Sequence, residues 1–431
     1  MKFLIIDSGI GLCHAIKLGQ EGHKVYYTNT WWKPFPVFKE VILGTGFENV
    51  EKILSIGDVI DEVDIIIFTD CGYGRLISWL KNKGYKVIGA PYECERLELE
   101  RDYMNKICDE LEIKRPPSQI IQGIDNLLDF LKKAKKSYFV KLNTVRGDAE
   151  TFKATSYETA EMILKNMTDK IAPFANEFTF IVEEEIEGIE IGVDTFRSSL
   201  GFLCPYFFTF EKLDNTLART MESSVWDDVL NKLDDYFKKY DYCGAFSLEA
   251  IYDGKDVYVI DFTTRFAYPS SSAIECSVIE DYGDLFLNCI KARKKEFKVK
   301  NEFAIGVNVY TEEGIGRWLA IDLEKDIDFW VRRGVKVKDK IYLTPGEEGQ
   351  TLAGVVVGKG DTLEEAFNDA SKQLEQIHIY GMTINWGIFD VFVKDYIVPL
   401  REYGIDFTEK ENKKTEINIK EIISEYVKKK K

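Results

Sequence analysis

The chain has 431 residues, 45% of them hydrophobic and 13% aromatic, which is enough for a large buried core and about two to four domains. Its formal net charge is −16, and a globally acidic surface repels a phosphate backbone, which argues against nucleic-acid partners. No stretch approaches the ~18 apolar residues of a membrane span, and the first apolar run is too short for a signal peptide, so we expect a cytoplasmic protein.

Cysteine and histidine usage restricts the chemistry further. The eight cysteines are scattered, without a C-x-x-C pair or the spacing of a metal site, and we expect reduced thiols that mostly fill the core. With only His14, His23 and His378 present, a multi-histidine metal centre is not expected. The acidic balance still permits a local basic pocket for a small phosphorylated ligand.

The first ~95 residues have the pattern of a small open α/β sheet. Phe3 to Ile6 form a continuously apolar run, as in a parallel strand covered on both faces, and a helical pattern follows from Cys13 to Leu18. The turn between them contains Gly9 and Gly11 but lacks the third glycine of G-x-G-x-x-G. Two interpretations stay open: a tight turn without ligand, or part of a nicotinamide-dependent oxidoreductase.

The remainder of the chain alternates between strands and amphipathic helices. The segment "LELERDYMNKICDELEI" predicts one charged helix, and "SYFVKLNTVRGDAETFKA" predicts a strand, a loop and a strand. After residue 301, β-rich stretches lead into the capped helix of "DTLEEAFNDASKQLEQIHIYG". The highly charged end predicts a solvated helix and tail.

Two acidic residues interrupt the apolar strands of a predicted hairpin. In "GAFSLEAIYDGKDVYVIDFTTR" the turn at Asp253-Gly254 places Glu249 and Asp261 on neighbouring strands. A carboxylate among apolar side chains is costly unless a cation compensates it. Two such oxygen ligands suit Mg²⁺ that also holds substrate phosphates, which Arg265 would face. The alternative is that both carboxylates pair with Arg or Lys at the sheet edge.

Three further segments follow in the order that a nucleotide site needs. Lys141 ends the apolar strand "YFVK" before a loop containing Gly147, which can clamp polyphosphate between a point charge and backbone N–H groups. Arg101 on the preceding helix offers a second cation. In "FIVEEEIEGIE" an apolar strand turns at Ile186, with glutamates in reach of a ribose. Each segment alone has a simpler explanation; Glu183 to Glu185, for example, could be charged residues that only face the solvent. The order of the segments along the chain favours a nucleotide site.

Taken together, these segments resemble the ATP-grasp ligases, and among them phosphoribosylamine–glycine ligase (glycinamide ribonucleotide synthetase). The resemblance covers about residues 1–405 and implies a mixed α/β and α+β architecture with ATP and Mg²⁺ (or Mn²⁺) as cofactors. It divides the chain into an N-terminal Rossmann-like domain (1–97), an ATP-grasp domain (98–300) with a lid subdomain (about 112–183), a C-terminal mixed α/β module (301–408) and a charged tail (409–431).

The matching motifs imply roles for individual residues. "FVK" with "RGDAET" is similar to the nucleotide-clamping lysine and glycine-rich loop, and "VEEEIEGIEIGV" is similar to the adenine hinge. The implied nucleotide contacts are Arg101 (where the family usually has lysine), Lys141, Arg146, Gly147, Glu184, Glu185, Ile186 and Glu190. "TFEK" and "DFTTRFAYP" imply the phosphate-side Lys212, the catalytic Arg265, and the metal ligands Glu249, Asp261 and Thr263.

The sequence also departs from the family pattern on the substrate side. Asp261 and Thr263 stand where the family has glutamate and asparagine, and Tyr268 replaces an aspartate near the substrate pocket. The glycine-rich loop after "TFEK" is replaced by "LDNTLARTMESS". Nucleotide chemistry is therefore better supported than the purine-pathway substrates.

The function that the resemblance implies is ATP-dependent ligation of a small carboxylate and an amine through an acyl phosphate, with release of ADP and phosphate. Glycine and a phosphosugar amine are the family's default substrates, while a modified nucleobase or another amino acid is equally open. A non-catalytic nucleotide-binding protein is the main alternative, because of Thr263 and the missing glycine loop. The oxidoreductase is the weaker one, because its glycine pattern is incomplete.

Overall fold

The structure is a computed structural model that describes residues 1–29, 38–144, 151–171, 173–222, 225–324 and 327–408. Within these residues the strands form one parallel five-stranded sheet, two four-stranded sheets and one ten-stranded sheet. The sheets alternate with helices along the chain, which confirms the predicted mixed α/β architecture.

The N-terminal sheet is parallel and has the order β3-β2-β1-β4-β5. Its strands are β1 (Lys2–Asp7), β2 (Lys24–Asn29), β3 (Val50–Lys52), β4 (Ile65–Phe68) and β5 (Val87–Ile88), and its helices are α1 (Leu12–Gln20), α2 (Phe38–Ile42) and α3 (Gly74–Asn82). The apolar run from Phe3 to Ile6 is buried in the central strand, as predicted. The turns after β1 and β4 lie at the carboxyl edge of this sheet, where α/β folds bind ligands.

The sequence predicts a single helix after β5. This prediction is wrong, because the chain forms two helices, α4 (Tyr92–Leu99) and α5 (Arg101–Glu110). Glu100 between them is extended, with φ −125° and ψ 100°. Arg96 holds the Glu100 carboxylate through Nε and Nη2 at 2.8–3.0 Å, and the Arg101 backbone N–H donates to the Asn143 carbonyl. The break directs Arg101 toward the β-hairpin described below.

A small antiparallel sheet with its own hydrophobic core follows, in the order β6-β9-β7-β8. It comprises β6 (Ser118–Gln122), α6 (Ile124–Lys133), β7 (Tyr138–Leu142), β8 (Thr151–Ala154), α7 (Tyr157–Ile171) and β9 (Thr179–Glu184). Leu127, Val140, Leu164 and Phe180 are almost completely buried in that core. This sheet lies within the segment predicted as the lid subdomain.

The next segment builds most of the ten-stranded sheet. Its elements are β10 (Ile189–Ser198), β11 (Gly201–Phe202), β12 (Tyr206–Lys212), β13 (Asn215–Met221), α8 (Asp227–Lys239), β14 (Gly244–Tyr252), β15 (Val257–Thr263), α9 (Ser270–Val278) and α10 (Tyr282–Lys291). β14 and β15 form the predicted hairpin, which turns at Asp253-Gly254. Both strands lie at one edge of the sheet, beside β10.

The C-terminal elements extend this sheet and add a separate one. They are β16 (Phe303–Thr311), β17 (Leu319–Leu323), β18 (Phe329–Val331), β19 (Gly334–Val337), β20 (Lys340–Leu343), β21 (Leu352–Gly360), α11 (Leu363–Leu374), β22 (Ile377–Ile379), β23 (Met382–Ile384), α12 (Ile388–Val391), a π-helical segment (Phe392–Ile397) and α13 (Val398–Glu402). Helix α11 begins with the capping box of Thr362 and Glu365.

The ten strands have the order β15-β14-β10-β12-β13-β16-β21-β18, with β11 on β10 and β23 on β16, and the second four-stranded sheet is β19-β20-β17-β22. Because β13 pairs with β16, residues on both sides of position 300 share one sheet. The domain boundaries at 97 and 300 therefore stay predictions.

All eight cysteines are free thiols. No helix in the described ranges is long and apolar enough to cross a membrane, and the predicted terminal helix and tail lie outside those ranges.

Candidate functional site

A cavity of about 610 Å³ lies between the β6–β9 sheet and the β14–β15 hairpin. Apolar side chains on its wall are Phe139, Ile186, Ile251 and Ile260. Predicted site residues on the same wall are Arg101, Lys141, Glu184, Glu185, Ile186, Glu190, Glu249, Asp261, Thr263 and Arg265. The structure thus brings most of the predicted residues to one cavity. Arg146 and Gly147 lie outside the described residues.

The two predicted metal ligands face each other across the hairpin. Glu249 and Asp261 are register partners in the antiparallel pair, at a β-bulge that follows Glu249. Burial, and then the charge of Asp261, raise the pKa of Glu249 to about 8. Arg101 Nη1 lies 3.3 Å from Asp261 Oδ2, so the predicted alternative of ion pairing is realised for one of the two acids. Carboxylates that repel each other in this way suit a divalent cation, and the Thr263 side chain lies on the same wall.

Lys141 lies at the base of the cavity, beside the strand that carries Asp261. Its Nζ is 2.8 Å from Glu183 Oε2 and donates to the Ile260 carbonyl at 3.1 Å. Both Lys141 and Glu183 are buried. The lysine charge is therefore fixed by a buried partner and directed toward the hairpin, where a phosphate bound by Glu249 and Asp261 through a cation would lie.

The predicted hinge follows the last residue of β9. The Glu184 carboxylate is bound by Lys136, which precedes β7, at 2.5 Å, and the Glu185 carboxylate by Lys153 of β8 at 2.6 Å. The Glu184 backbone N–H donates to the Pro117 carbonyl at 2.9 Å. These ion pairs occupy the two carboxylates, so the main chain around Ile186 and its apolar side chain are the groups suited to a flat base.

Two further acids lie close to these groups, Glu190 on the same wall and Glu211 beside Lys212. Desolvation raises the pKa of Glu190, although its side chain is exposed to the solvent, and Lys212 and Lys141 partly counteract this shift. Lys212 itself is exposed and is not on the cavity wall, although its charge reaches Glu190. Desolvation and then the charge of Glu249 also raise the pKa of Glu211, an exposed residue that the sequence analysis passed over. The sequence feature that could have identified Glu211 is its position beside Lys212 in "TFEK".

Arg265 is oriented by two acids that the sequence analysis also missed. Its Nε lies 3.0 Å from Glu98 Oε1 and 3.2 Å from Asp70 Oδ1. The other oxygen of Glu98 accepts the Thr264 backbone N–H at 2.8 Å. Asp70 lies two residues after the apolar strand β4, and Glu98 is a buried acid on α4. Arg265 is 167 residues from Glu98 and farther still from Asp70, so no local pattern reveals the contacts.

A second cavity of about 460 Å³ lies at the carboxyl edge of the N-terminal sheet, against strands of the C-terminal segment. Its wall includes Ser8, Gly9, Tyr268 and Arg332. The Arg332 guanidinium lies 4.5 Å from the centre of the Tyr268 ring. Ser8 Oγ donates to Asp70 Oδ2 at 2.5 Å, so Asp70 links the turn after β1 to Arg265 and to the first cavity.

Comparison with known proteins identifies the fold. No family model matches the chain. The structure resembles phosphoribosylamine–glycine ligase from Thermotoga maritima, with a TM-score of 0.67 and 17% identity over 89% of this chain and 99% of that one. It resembles the biotin carboxylase domain of Hydrogenobacter thermophilus 2-oxoglutarate carboxylase, determined with MgADP, ADP and bicarbonate, with a TM-score of 0.65 and 13% identity over 95% and 99% of the two chains. It also resembles an ADP complex of N5-carboxyaminoimidazole ribonucleotide synthetase, with a TM-score of 0.60 and 14% identity over 87% and 97%. The chain has the ATP-grasp fold.

Among curated proteins, the chain is similar to two phosphoribosylamine–glycine ligases. The Thermotoga maritima protein is 23% identical over 77% of this chain and 86% of its own length, and the Clostridium acetobutylicum protein is 18% identical over 71% and 79%. The large chain of carbamoyl phosphate synthase from Clostridium acetobutylicum is 22% identical over 61% of this chain, which spans only 27% of that protein. The sequence relatives are thus ATP-grasp ligases, and the predicted resemblance is confirmed.

Proposed function

We propose that the chain is an ATP-dependent carboxylate–amine ligase whose chemistry is similar to that of phosphoribosylamine–glycine ligase. The observation that supports this most directly is the pairing of Glu249 with Asp261 opposite Lys141 on the wall of one 610 Å³ cavity. An ATP-grasp fold with this set of charges suits a nucleotide triphosphate bound with Mg²⁺.

The cavity would hold the nucleotide in a defined direction. The base would lie against Ile186, Phe139 and Ile260, with backbone groups after Glu184 and Glu185 reading its edge, and Glu190 would contact the ribose. Lys141 and Arg101 would bind the phosphates, together with the loop that contains Arg146 and Gly147. Lys141 and Arg101 are already held by ion pairs with Glu183 and Asp261, which reduces the entropy lost on binding.

The metal ion would be held by oxygen donors of Glu249, Asp261 and Thr263, which suit Mg²⁺ and also Mn²⁺. The bound ion would neutralise charge on the phosphoryl group that is transferred. The γ-phosphoryl group would pass to a substrate carboxylate, which forms an acyl phosphate and leaves ADP. An amine would then attack the carbonyl carbon, form the amide and expel phosphate. Arg265 would stabilise the charge on the acyl phosphate, and Lys212 would meet the phosphate side of the same intermediate.

The second cavity would take the acceptor substrate, because Asp70 joins its Ser8 edge to Arg265. The N-terminal sheet, the small antiparallel sheet and the C-terminal strands would then act as three separate walls. This arrangement corresponds to the proposed division at residues 97 and 300, with the lid at about 112–183.

The test is a panel of carboxylates with hydroxylamine as a general amine, which converts any acyl phosphate to a hydroxamate that iron(III) colours. We expect hydroxamate and ADP in equal amounts with at least one carboxylate, only when ATP and Mg²⁺ are both present. ATP binding by calorimetry without ADP release across the panel would instead support the non-catalytic nucleotide-binding alternative. Binding of a nicotinamide dinucleotide but not ATP would support the oxidoreductase.

A further inference from the structure

Two thiols and an imidazole meet in the interior, apart from both cavities. Cys13 and His14 lie in the first turn of helix α1, and Cys276 lies in α9. Their candidate ligand atoms all lie within 4.8 Å of one another, and the exposed fractions of the three residues are 7%, 0% and 1%. The sequence showed no metal-site spacing because 262 positions separate His14 from Cys276.

The imidazole of His14 is held from one side by a chain of polar groups. Its Nδ1 lies 2.8 Å from the Tyr282 hydroxyl and 3.6 Å from Cys276 Sγ. The Tyr282 hydroxyl donates to Glu275 Oε2 at 3.4 Å, and Glu275 is only 2% exposed. The second ring nitrogen, Nε2, is buried and has no hydrogen-bond partner within the described ranges.

The cluster is rich in groups that carry or can take negative charge. Lys17, on the same helix as Cys13, is ion-paired with Glu21 at 3.0 Å. Buried thiols, a phenol and a carboxylate that share one region suit a bound cation, because buried charges are otherwise paired or neutralised. A carboxylate that orients a histidine through an intermediate hydroxyl is the outer arrangement typical of metal-ligating imidazoles.

We propose that Cys13, Cys276 and His14 bind a thiophilic d10 metal ion, Zn²⁺ or Cu⁺, independently of the proposed ligase activity. Thiolate and imidazole donors select these ions over Mg²⁺. The ligating nitrogen is Nε2, because Nδ1 is held by the Tyr282 hydroxyl and Nε2 is buried without a partner within the described ranges. With Zn–S and Zn–N bonds of about 2.3 and 2.0–2.1 Å, the ligand atoms of a tetrahedral site lie within about 4 Å of one another, which is close to the spacing of the three candidate groups here.

The bound ion would connect helices α1 and α9 next to the second cavity. Helix α1 begins directly after the turn that carries Ser8 and Gly9, and α9 begins directly after Pro269, and all three of these residues lie on the wall of that cavity. Metal-ligand bonds between α1 and α9 would fix the distance between the two walls. The ion therefore has a structural role and does not contact either substrate.

The full chain, purified under reducing conditions from a zinc-supplemented culture, is analysed for bound metal by mass spectrometry. We expect about one equivalent of zinc or copper, and the element found identifies the ion. Refolding with Co²⁺ should give the near-ultraviolet thiolate-to-cobalt absorption band. Cys13→Ser and Cys276→Ser should each lose that band. Cys243→Ser is the matched control and should keep it, since Cys243 is another buried thiol, which contacts the Cys289 carbonyl.

Glu275→Gln gives a milder variant that tests the polar chain without removing a ligand. We expect it to fold and to bind Co²⁺ about tenfold more weakly. The proposal is overturned if the wild-type chain has no zinc or copper and no cobalt band. It is also overturned if the band persists in Cys13→Ser, or if intact mass shows Cys13 and Cys276 joined as a disulfide.

Discussion

The two cavities differ in how their charges are held. In the first cavity, Lys141 pairs with the buried Glu183 at 2.8 Å and Arg101 with Asp261 at 3.3 Å, so the positions of both cations are fixed by ion pairs within the protein. In the second cavity, the Arg332 guanidinium lies against the Tyr268 ring, at a position where the sequence resemblance implies an aspartate. If the proposed function is correct, the difference predicts that substitutions in the first cavity affect ATP and metal binding, while substitutions in the second affect the acceptor.

The largest effect should come from removing both acids of the hairpin. In Glu249→Gln/Asp261→Asn, Mg²⁺-dependent ADP release should fall about 1,000-fold or more, because no carboxylate remains to hold the ion on the phosphates. Circular dichroism should be unchanged, because both amides keep nearly the shape of the carboxylates that they replace. Turnover close to the wild-type value would reject the metal assignment.

The next effect is a pH dependence of metal binding. Because the pKa of Glu249 is raised to about 8, a divalent ion must displace a proton at lower pH. Mn²⁺ affinity, measured from the free-ion EPR signal, should fall about 50-fold from pH 8 to pH 6. The raised pKa also makes the metal-free protein less stable as pH rises from about 4.5 to about 8, because the folded state holds a proton that the unfolded state releases. Asp261→Asn should weaken the pH dependence.

Lys141→Met tests whether the fixed cation binds phosphate. Loss of the charged contact should weaken ATP binding by about 2 kcal/mol, or roughly thirtyfold in Kd by calorimetry. The same change leaves Glu183 buried without its lysine and should lower the free energy of unfolding by about 3 kcal/mol. Lys141→Met/Glu183→Gln is the control, because it should recover stability but not ATP binding. Recovery of both would mean that Lys141 is structural only.

The parts of the molecule that were predicted correctly depend on local sequence. The Asp253-Gly254 turn fixes the pairing of β14 with β15 and brings Glu249 close to Asp261, and a β-bulge between Glu249 and Ala250 then places the two acids directly opposite each other. The capping box at Thr362 likewise marks the start of α11. Each signal lies within a few residues of the feature that it predicts.

The features that were missed depend on contacts between distant segments. A helical pattern continues through Glu100, and only the tertiary contact of Arg101 with Asn143 and Asp261 shows why the helix ends there. Glu98 and Asp70 are ordinary acids in sequence until the fold places Arg265 between them. The pairing of β13 with β16 across position 300 is non-local in the same way.

Glu98→Gln tests the link between the two cavities. The amide can still accept the Thr264 N–H but loses the charge that orients Arg265, so kcat should fall about tenfold while the Kd for ATP stays unchanged. Glu375→Gln, at an exposed helix end, is the matched control and should leave both quantities at wild-type values. A weaker ATP affinity with normal kcat would place Glu98 in nucleotide binding instead.

The smallest effect should come from Tyr268→Phe, which keeps the ring beside Arg332 but removes the hydroxyl that hydrogen bonds with it. We expect KM for the acceptor identified in the hydroxamate panel to rise about three- to fivefold, while KM for ATP stays constant. Tyr268→Ala also removes the contact between ring and guanidinium, so it should raise the acceptor KM further. Tyr380→Phe, on an exposed loop, should change neither constant. If Tyr268→Phe instead raised KM for ATP, the two cavities would not divide the substrates between them, because a group in the second cavity would be reading the nucleotide.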